Sequence, residues 1–331
     1  MARTPTAQDM GFERTQPAAS KRRRTLRWHL QRRAFLLMLA PGLGMYLIFI
    51  VYPFMTSFVY SFYNWNGVGP ISDFIGLGNY IYTLTSKDFS IFFYRAILHN
   101  LYLFGMAMVL TTIVGMILAY LLTKIPQRVA RIFQVLYFLP YVIPPVVVAF
   151  LTSIYLEPNF GVLSTVLQGA GLSSWDLPWL GSETLALPTI AVIASWASVG
   201  FAMLIFLAAM VGLPIDILEA ARIDGANPFQ LFTRIVFPLI RPTFITLMTL
   251  TFIGSFGTFD LIYVLEGTQA GPNYATDVSG TLFYRTAFGG FGATAQNMGL
   301  ATALAVLAFI IVMVVSAILV RLQKRYTVQY A

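Results

Sequence analysis

Between two long apolar runs lies a polar island, Ile217 to Pro242, whose charged, small and turn-forming residues are spaced so as to stop a helix and start another. Asp216 with Glu219 three residues on has the form of a capping box, in which each side chain satisfies an orphan backbone donor. Ala220 and Ala221 follow, both small. Gly225 suits the left-handed position that closes a helix, and Asn227, Pro228 and Gln230 supply a cap, a first-turn proline and a second box. Beyond them Phe229, Phe232, Thr233 and Val236 share one face by their i, i+3, i+4, i+7 spacing, and Pro238 and Pro242 are expected to end that helix. These marks read as two short capped helices with a sharp turn between them. A plain connecting loop would carry the same marks.

A second group of polar residues sits inside the apolar runs. Thr251, Ser255 and Thr258 recur at i, i+4, i+7 and form one stripe. Trp196, Ser198 and Phe201 add a ring-and-hydroxyl set at similar depth. Hydroxyls and aromatic faces suit a sugar, yet the same residues also bond back to their own helix or pack helices together. Asp260 is the one acid in an apolar stretch. A charge at the bilayer centre costs roughly 2.5–3.5 kcal/mol, so it belongs either at the outer end of its span or against a wet cavity.

Several chemistries are excluded. There is no GxxxxGK[ST] to cradle nucleotide phosphates, no HExxH, and no Ser/His/Asp set, so the chain is expected to be non-catalytic and to hold no cofactor or metal. It has no cysteine and two histidines, His29 and His99. The net charge of +8 would suit nucleic acid, but nine of the 21 basic residues lie before Ala34 and abut an apolar run. Such a juxtamembrane cluster is drawn to anionic lipid headgroups.

The elements that must position these residues are membrane spans. The sequence is 58% hydrophobic and 10% charged, against roughly 45–50% and ~25% for soluble domains. A basic N-terminal segment, 1–33, precedes a domain 34–325 with spans at about 35–60, 96–123, 132–156, 185–211, 243–265 and 298–320, a loop at 214–242 and a tail at 326–331. The charge-free first run is too long for the core of a secretory leader. Pro140, Pro144 and Pro145 should kink or break the third span. Nine basic residues in the N-terminal segment, three each in the 2–3 and 4–5 loops, and Arg321, Lys324 and Arg325 after the last span fall on one side, leaving Lys87, Arg95 and Arg285 on the other. That asymmetry places both termini and Glu219 in the cytoplasm.

Glu219-Ala220-Ala221, Asp224-Gly225 and Phe237-Pro238 resemble the EAA signature of ABC importer permeases. Phe74, Gly76, Asn79 and Tyr80 resemble the FxGxxNY stretch of sugar-type members, and FLPYVIPPVV and FGTFDLIYVL are similar to the carbohydrate branch related to maltose and glycerol-phosphate permeases. The resemblance implies an all-α integral membrane protein with six transmembrane helices and a cytoplasmic coupling-helix loop, as in type I importer permeases. It gives Glu219, Ala220, Ala221, Asp224 and Gly225 to coupling with the ATPase, and makes Trp196, Ser198, Phe201, Thr251, Ser255 and Thr258 candidates for the solute path. It also implies a second permease in a heterodimer, two ATP-binding subunits that carry ATP and Mg, an extracytoplasmic solute-binding protein, a sugar or polyol solute, and the inner membrane of a prokaryote. The rival reading is an ion-coupled secondary transporter, which needs a midplane ion site and usually an internal repeat.

Overall fold

The computed structural model describes residues 35–289 and 296–327, and the basic segment 1–33 and most of the tail 326–331 lie outside them. Contacts divide the chain into two compact units at Ser57–Phe58. In the first, the long apolar run forms α1, Phe35–Tyr60, which continues past the boundary. Its backbone widens to a π-helical turn at Leu47–Val51, two residues ahead of Pro53. A proline ring crowds the carbonyl four residues back and offers no N–H, and a widened turn relieves both.

The second unit is helical throughout its apolar runs: α2 Gly78–Thr85, α3 Ser90–Leu122, α4 Gln127–Val142, α5 Pro145–Tyr155, α6 Val162–Gly169, α7 Ala186–Val211, α8 Ile215–Ile223, α9 Pro228–Glu266, α10 Ser279–Phe288 and α11 Met298–Thr327. Five helices of the described chain are long and apolar enough to cross a membrane. The bent pair α4–α5 makes a sixth span when taken as one, with a bend of 92°. The bend falls where Ile143 turns extended ahead of Pro144, the geometry that a following proline imposes. Pro140 stays inside α4.

Two boundaries differ from expectation. Helix α3 begins at Ser90, so Arg95 lies inside a helix rather than before one. Pro238 and Pro242 do not end a helix: α9 runs through both, because a π-helical turn at Phe232–Val236 stands ahead of Pro238 as the turn in α1 stands ahead of Pro53. The widened turn also breaks the expected face. Phe229 is exposed while Leu231 and Val236 are buried.

Helix α7 is the axis of the core, with Ile190, Met203 and Phe206 fully enclosed. It packs through small residues: a Cβ at Gly200 would overlap the Tyr137 carbonyl of α4, and one at Gly115 of α3 would lie 3.0 Å from Ala202 Cβ. Without water to drive association, such close backbone approach is what holds membrane helices together. The loop after α1 is tied down by Asn79, whose Nδ2 donates to Ser61 O and Tyr63 O, both at 2.9 Å. Tyr80 OH meets Ser61 Oγ at 2.6 Å, so the FIGLGNY stretch serves as an anchor for that loop.

Candidate functional site

The hydroxyl stripe of α9 and the inner face of α7 meet across a cavity of about 380 Å³, to which α3 contributes a third wall. Thr251, Ser255 and Thr258 all line it, as do Ser198 and Phe201. The rings of Phe201 and Tyr141 stack at 4.9 Å, inclined by 15°. Beside it a second cavity of about 230 Å³ shares Tyr141, Ser198 and Thr258 and adds Asp260. Asp260 therefore faces a cavity, and α9 continues past it to Glu266.

Most of these hydroxyls donate to their own helix: Ser198 to Ala194 O at 2.8 Å, Ser255 to Phe252 O at 2.7 Å and Thr258 to Gly254 O at 3.1 Å. Their remaining lone pairs are left to accept. Thr251 Oγ1 lies 3.3 Å from Thr112 Oγ1. Two further hydroxyls escaped the sequence reading. Thr111 and Ser195 line the same cavity, are buried, and have no hydrogen-bond partner among the described residues. Thr111 sits in a π-helical turn, Met108–Ile113, the kind of local widening that recurs at functional sites. A buried hydroxyl left unmade costs about 1–3 kcal/mol, so this pair is primed to bond something that enters.

Trp196 does not join them. Two residues along a helix rotate the side chain by about 200° from Ser198, and Trp196 instead lines a separate apolar recess with Tyr137 and Pro140. It is 54% exposed.

The floor of the cavity is fixed from outside. Helix α9 is interrupted at 257–259, freeing the Ser255 carbonyl, and buried Asn100 of α3 donates to it at 2.7 Å. The other end of Asn100 accepts from Ser279 N at 3.0 Å, joining α10.

At the far end of α7 and α9 lies the capped pair. Helix α8 starts after Pro214, with no side-chain cap. The expected Asp216–Glu219 box is absent, because Pro214 takes the N-cap two residues earlier and leaves Asp216 within the first turn, where its charge meets the helix dipole. The helix ends in a Schellman arrangement: Ala226 N bonds Ala221 O at 3.0 Å and Gly225 N bonds Arg222 O at 3.1 Å, with Gly225 at φ +82°. The second box is present, with Gln230 N to Asn227 Oδ1 at 2.8 Å and Asn227 N to Gln230 Oε1 at 3.0 Å.

Within this pair Ala221 is buried in the same core cluster as Met210, Leu231 and Val236, whereas Glu219, Ala220, Asp224 and Gly225 are exposed. The exposed side also carries large apolar groups, Ile223 at 86% and Phe229 at 75% exposure, which the periodicity had assigned inward or not at all. Tyr120 of α3 braces the turn, donating to Pro228 O at 2.9 Å.

Residues 111–328 match the profile of the family described as the binding-protein-dependent transport system inner membrane component. The probable starch degradation products transport system permease protein AmyD of Thermoanaerobacterium thermosulfurigenes is 32% identical over 88% of this chain and 94% of its own. The sn-glycerol-3-phosphate transport system permease protein UgpA of Agrobacterium fabrum is 32% identical over 85% and 91%. Among solved structures, a bacterial alginate ABC transporter in complex with an alginate pentasaccharide-bound periplasmic protein superposes with a TM-score of 0.74 at 25% identity, over 91% of this chain and 98% of that one. A family profile over most of the chain, relatives matched along nearly their full length and a shared helical architecture agree: the chain belongs to the binding-protein-dependent permeases of ABC importers, and is a multi-pass membrane protein.

Proposed function

We propose that this permease translocates a neutral sugar or polyol, delivered by an extracytoplasmic binding protein, through the cavity between α3, α7 and α9. The observation that carries this reading is the lining: hydroxyls from Thr111, Ser195, Ser198, Ser255 and Thr258 around the stacked Tyr141–Phe201 rings, with no Lys, Arg or His among the described residues that line it. A phosphate or uronate would call for a cationic partner, whereas Asp260 at the edge repels one. A polyhydroxylated neutral solute meets both donors and acceptors, and a flat aromatic face. The relatives' names favour carbohydrate as a class, since they are a starch-product and a glycerol-phosphate permease and their structural neighbour handles alginate.

On this reading α8 and the start of α9 form the coupling element, on the cytoplasmic side of the inner membrane, with Glu219, Ala220, Asp224 and Gly225 at the surface and Ala221 keyed into the permease core. Exposed Ile223 and Phe229 give a separate ATPase subunit an apolar grip. ATP and Mg belong to two such subunits, since this chain has no phosphate-cradling loop. A second permease completes the pathway, and ATP-driven closure of the ATPases tilts the coupling elements and alternates access to the cavity. The family assignment decides against ion-coupled secondary transport. The test is uptake into vesicles of the assembled transporter: competition by unlabelled neutral sugars but not by sugar phosphates supports the proposal, and the reverse order overturns it.

A further inference from the structure

Near the start of α3 a separate groove of about 920 Å³ opens between that helix and the residues leading into α7, with Arg95 and Glu183 both facing it. The Arg95 guanidinium stacks on Phe92 at 5.3 Å and on Tyr274 at 5.5 Å. Its Nε and Nη2 are shielded from solvent and have no hydrogen-bond partner among the described residues. Asp277, whose carbonyl oxygen meets His99 Nδ1 of the same groove at 2.7 Å, is already engaged, because its carboxylate pairs with Arg285 at 2.7 Å. Glu183, though it lines the same groove and is exposed, makes no ion pair within 4.0 Å among the described residues. A half-buried cation and a carboxylate thus share one groove, neither of them paired with an opposite charge among the described residues.

The groove continues over apolar surface: Leu98 is 63% exposed and Tyr102 40%, each further along α3 on the same side as Arg95. Helix α3 has 33 residues, about 50 Å at helical rise, whereas a bilayer with its headgroups is about 40–45 Å thick. Its first turns therefore reach the headgroup layer, and Leu98 and Tyr102 lead inward from it.

We propose that this groove is a binding site for an ethanolamine phospholipid, with the phosphate on the Arg95 guanidinium, the ammonium on Glu183 and an acyl chain along Leu98 and Tyr102. Arginine is the side chain best matched to a phosphate, and basic pockets between transmembrane helices hold lipid headgroups. Glu183 selects among them. A purely anionic headgroup would leave a carboxylate facing a phosphate, while a zwitterion satisfies both ends at once.

The full-length protein, reconstituted in vesicles of equal phosphatidylethanolamine and phosphatidylglycerol and then extracted into detergent, is assayed for retained phospholipid by mass spectrometry. The wild type should retain the ethanolamine lipid in preference. Arg95→Gln should lower that retention at least fivefold, and Glu183→Gln should abolish the preference while the protein still folds, its side chain being at the surface. Soluble phosphoethanolamine at the lipid's concentration should displace none of it. Wild-type retention by Arg95→Gln, an unchanged preference in Glu183→Gln, or equal retention of both lipids by the wild type overturns the proposal. Displacement by phosphoethanolamine also overturns it, since the acyl wall would then play no part. Should Arg95→Gln fail to fold, the Glu183→Gln preference decides alone.

Discussion

Asp277 and Arg285 meet in a bidentate pair, Nη2 to Oδ2 at 2.7 Å and Nη1 to Oδ1 at 3.2 Å, with the carboxylate fully enclosed and the arginine side chain 8% exposed. Thr281 Oγ1 adds a bond to Asp277 Oδ1 at 2.7 Å, and Arg285 lies 4.7 Å from the Tyr274 ring. The pair pins the segment after α9 onto α10. Removing one partner of a buried pair leaves an uncompensated charge and costs ~3–5 kcal/mol. Asp277→Asn is therefore expected to lower the Tm of the detergent-solubilised protein markedly, and a double Asp277→Asn, Arg285→Met variant should recover part of the loss. A thermal melt of the three proteins checks this.

In the cavity, Ser195→Ala and Thr111→Val remove hydroxyls that have no hydrogen-bond partner among the described residues, so neither should destabilise the fold. Each is expected to weaken apparent affinity for the solute by about 2–10-fold, the worth of one hydrogen bond. Ser255→Leu or Thr258→Leu should obstruct the path and depress uptake further at unchanged membrane abundance. Trp196→Phe should transport normally. Normal uptake in all four hydroxyl variants would remove the cavity from the path.

At the coupling element, a side chain at Gly225 must enter a left-handed backbone that costs roughly 1–2 kcal/mol. Gly225→Val should spoil the Schellman turn, and Glu219→Lys should invert an exposed charge. Both are expected to reduce ATPase co-elution or solute-stimulated hydrolysis with the spans still inserted. Wild-type coupling in both would reduce this region to a connecting loop.

The topology expected from the basic residues of the 2–3 loop, the 4–5 loop and the end of α11 can be checked directly. Reporters fused after Arg325 and within Gln230–Arg234 should read as cytoplasmic, and one at Gly171 as external. An external signal from the Gln230–Arg234 fusion would contradict the coupling assignment.

The parts of the site written in adjacent residues were legible. Gly225 and the Asn227–Gln230 box form through contacts three or four residues apart, and the stripe of Thr251, Ser255 and Thr258 needs only helical periodicity. The Asp216 box does not form because Pro214 caps the same turn, and Trp196 turns away from the stripe because depth along a helix does not fix the angle around it. Thr111 and Ser195 left no signal, each standing in an apolar run where only the neighbouring helix makes the hydroxyl conspicuous. Nor did the spacing of Asp277 and Arg285 announce a pair, since the chain must leave one helix and enter another before they meet.

Helix α9 also has the geometry of a lever. Its segment Phe237–Phe256 is an unbroken rod of 20 residues, about 30 Å long, rooted in the capped turn at one end and carrying Ser255 at the other. A swing of about 10° at the root therefore travels about 5 Å at the tip by rod length alone. Such an arc carries Ser255 out of hydrogen-bonding range of anything it held, and it loads the Asn100 tether at the break. The displacement at the cavity thus scales with the length of one helix as well as with the angle at its root.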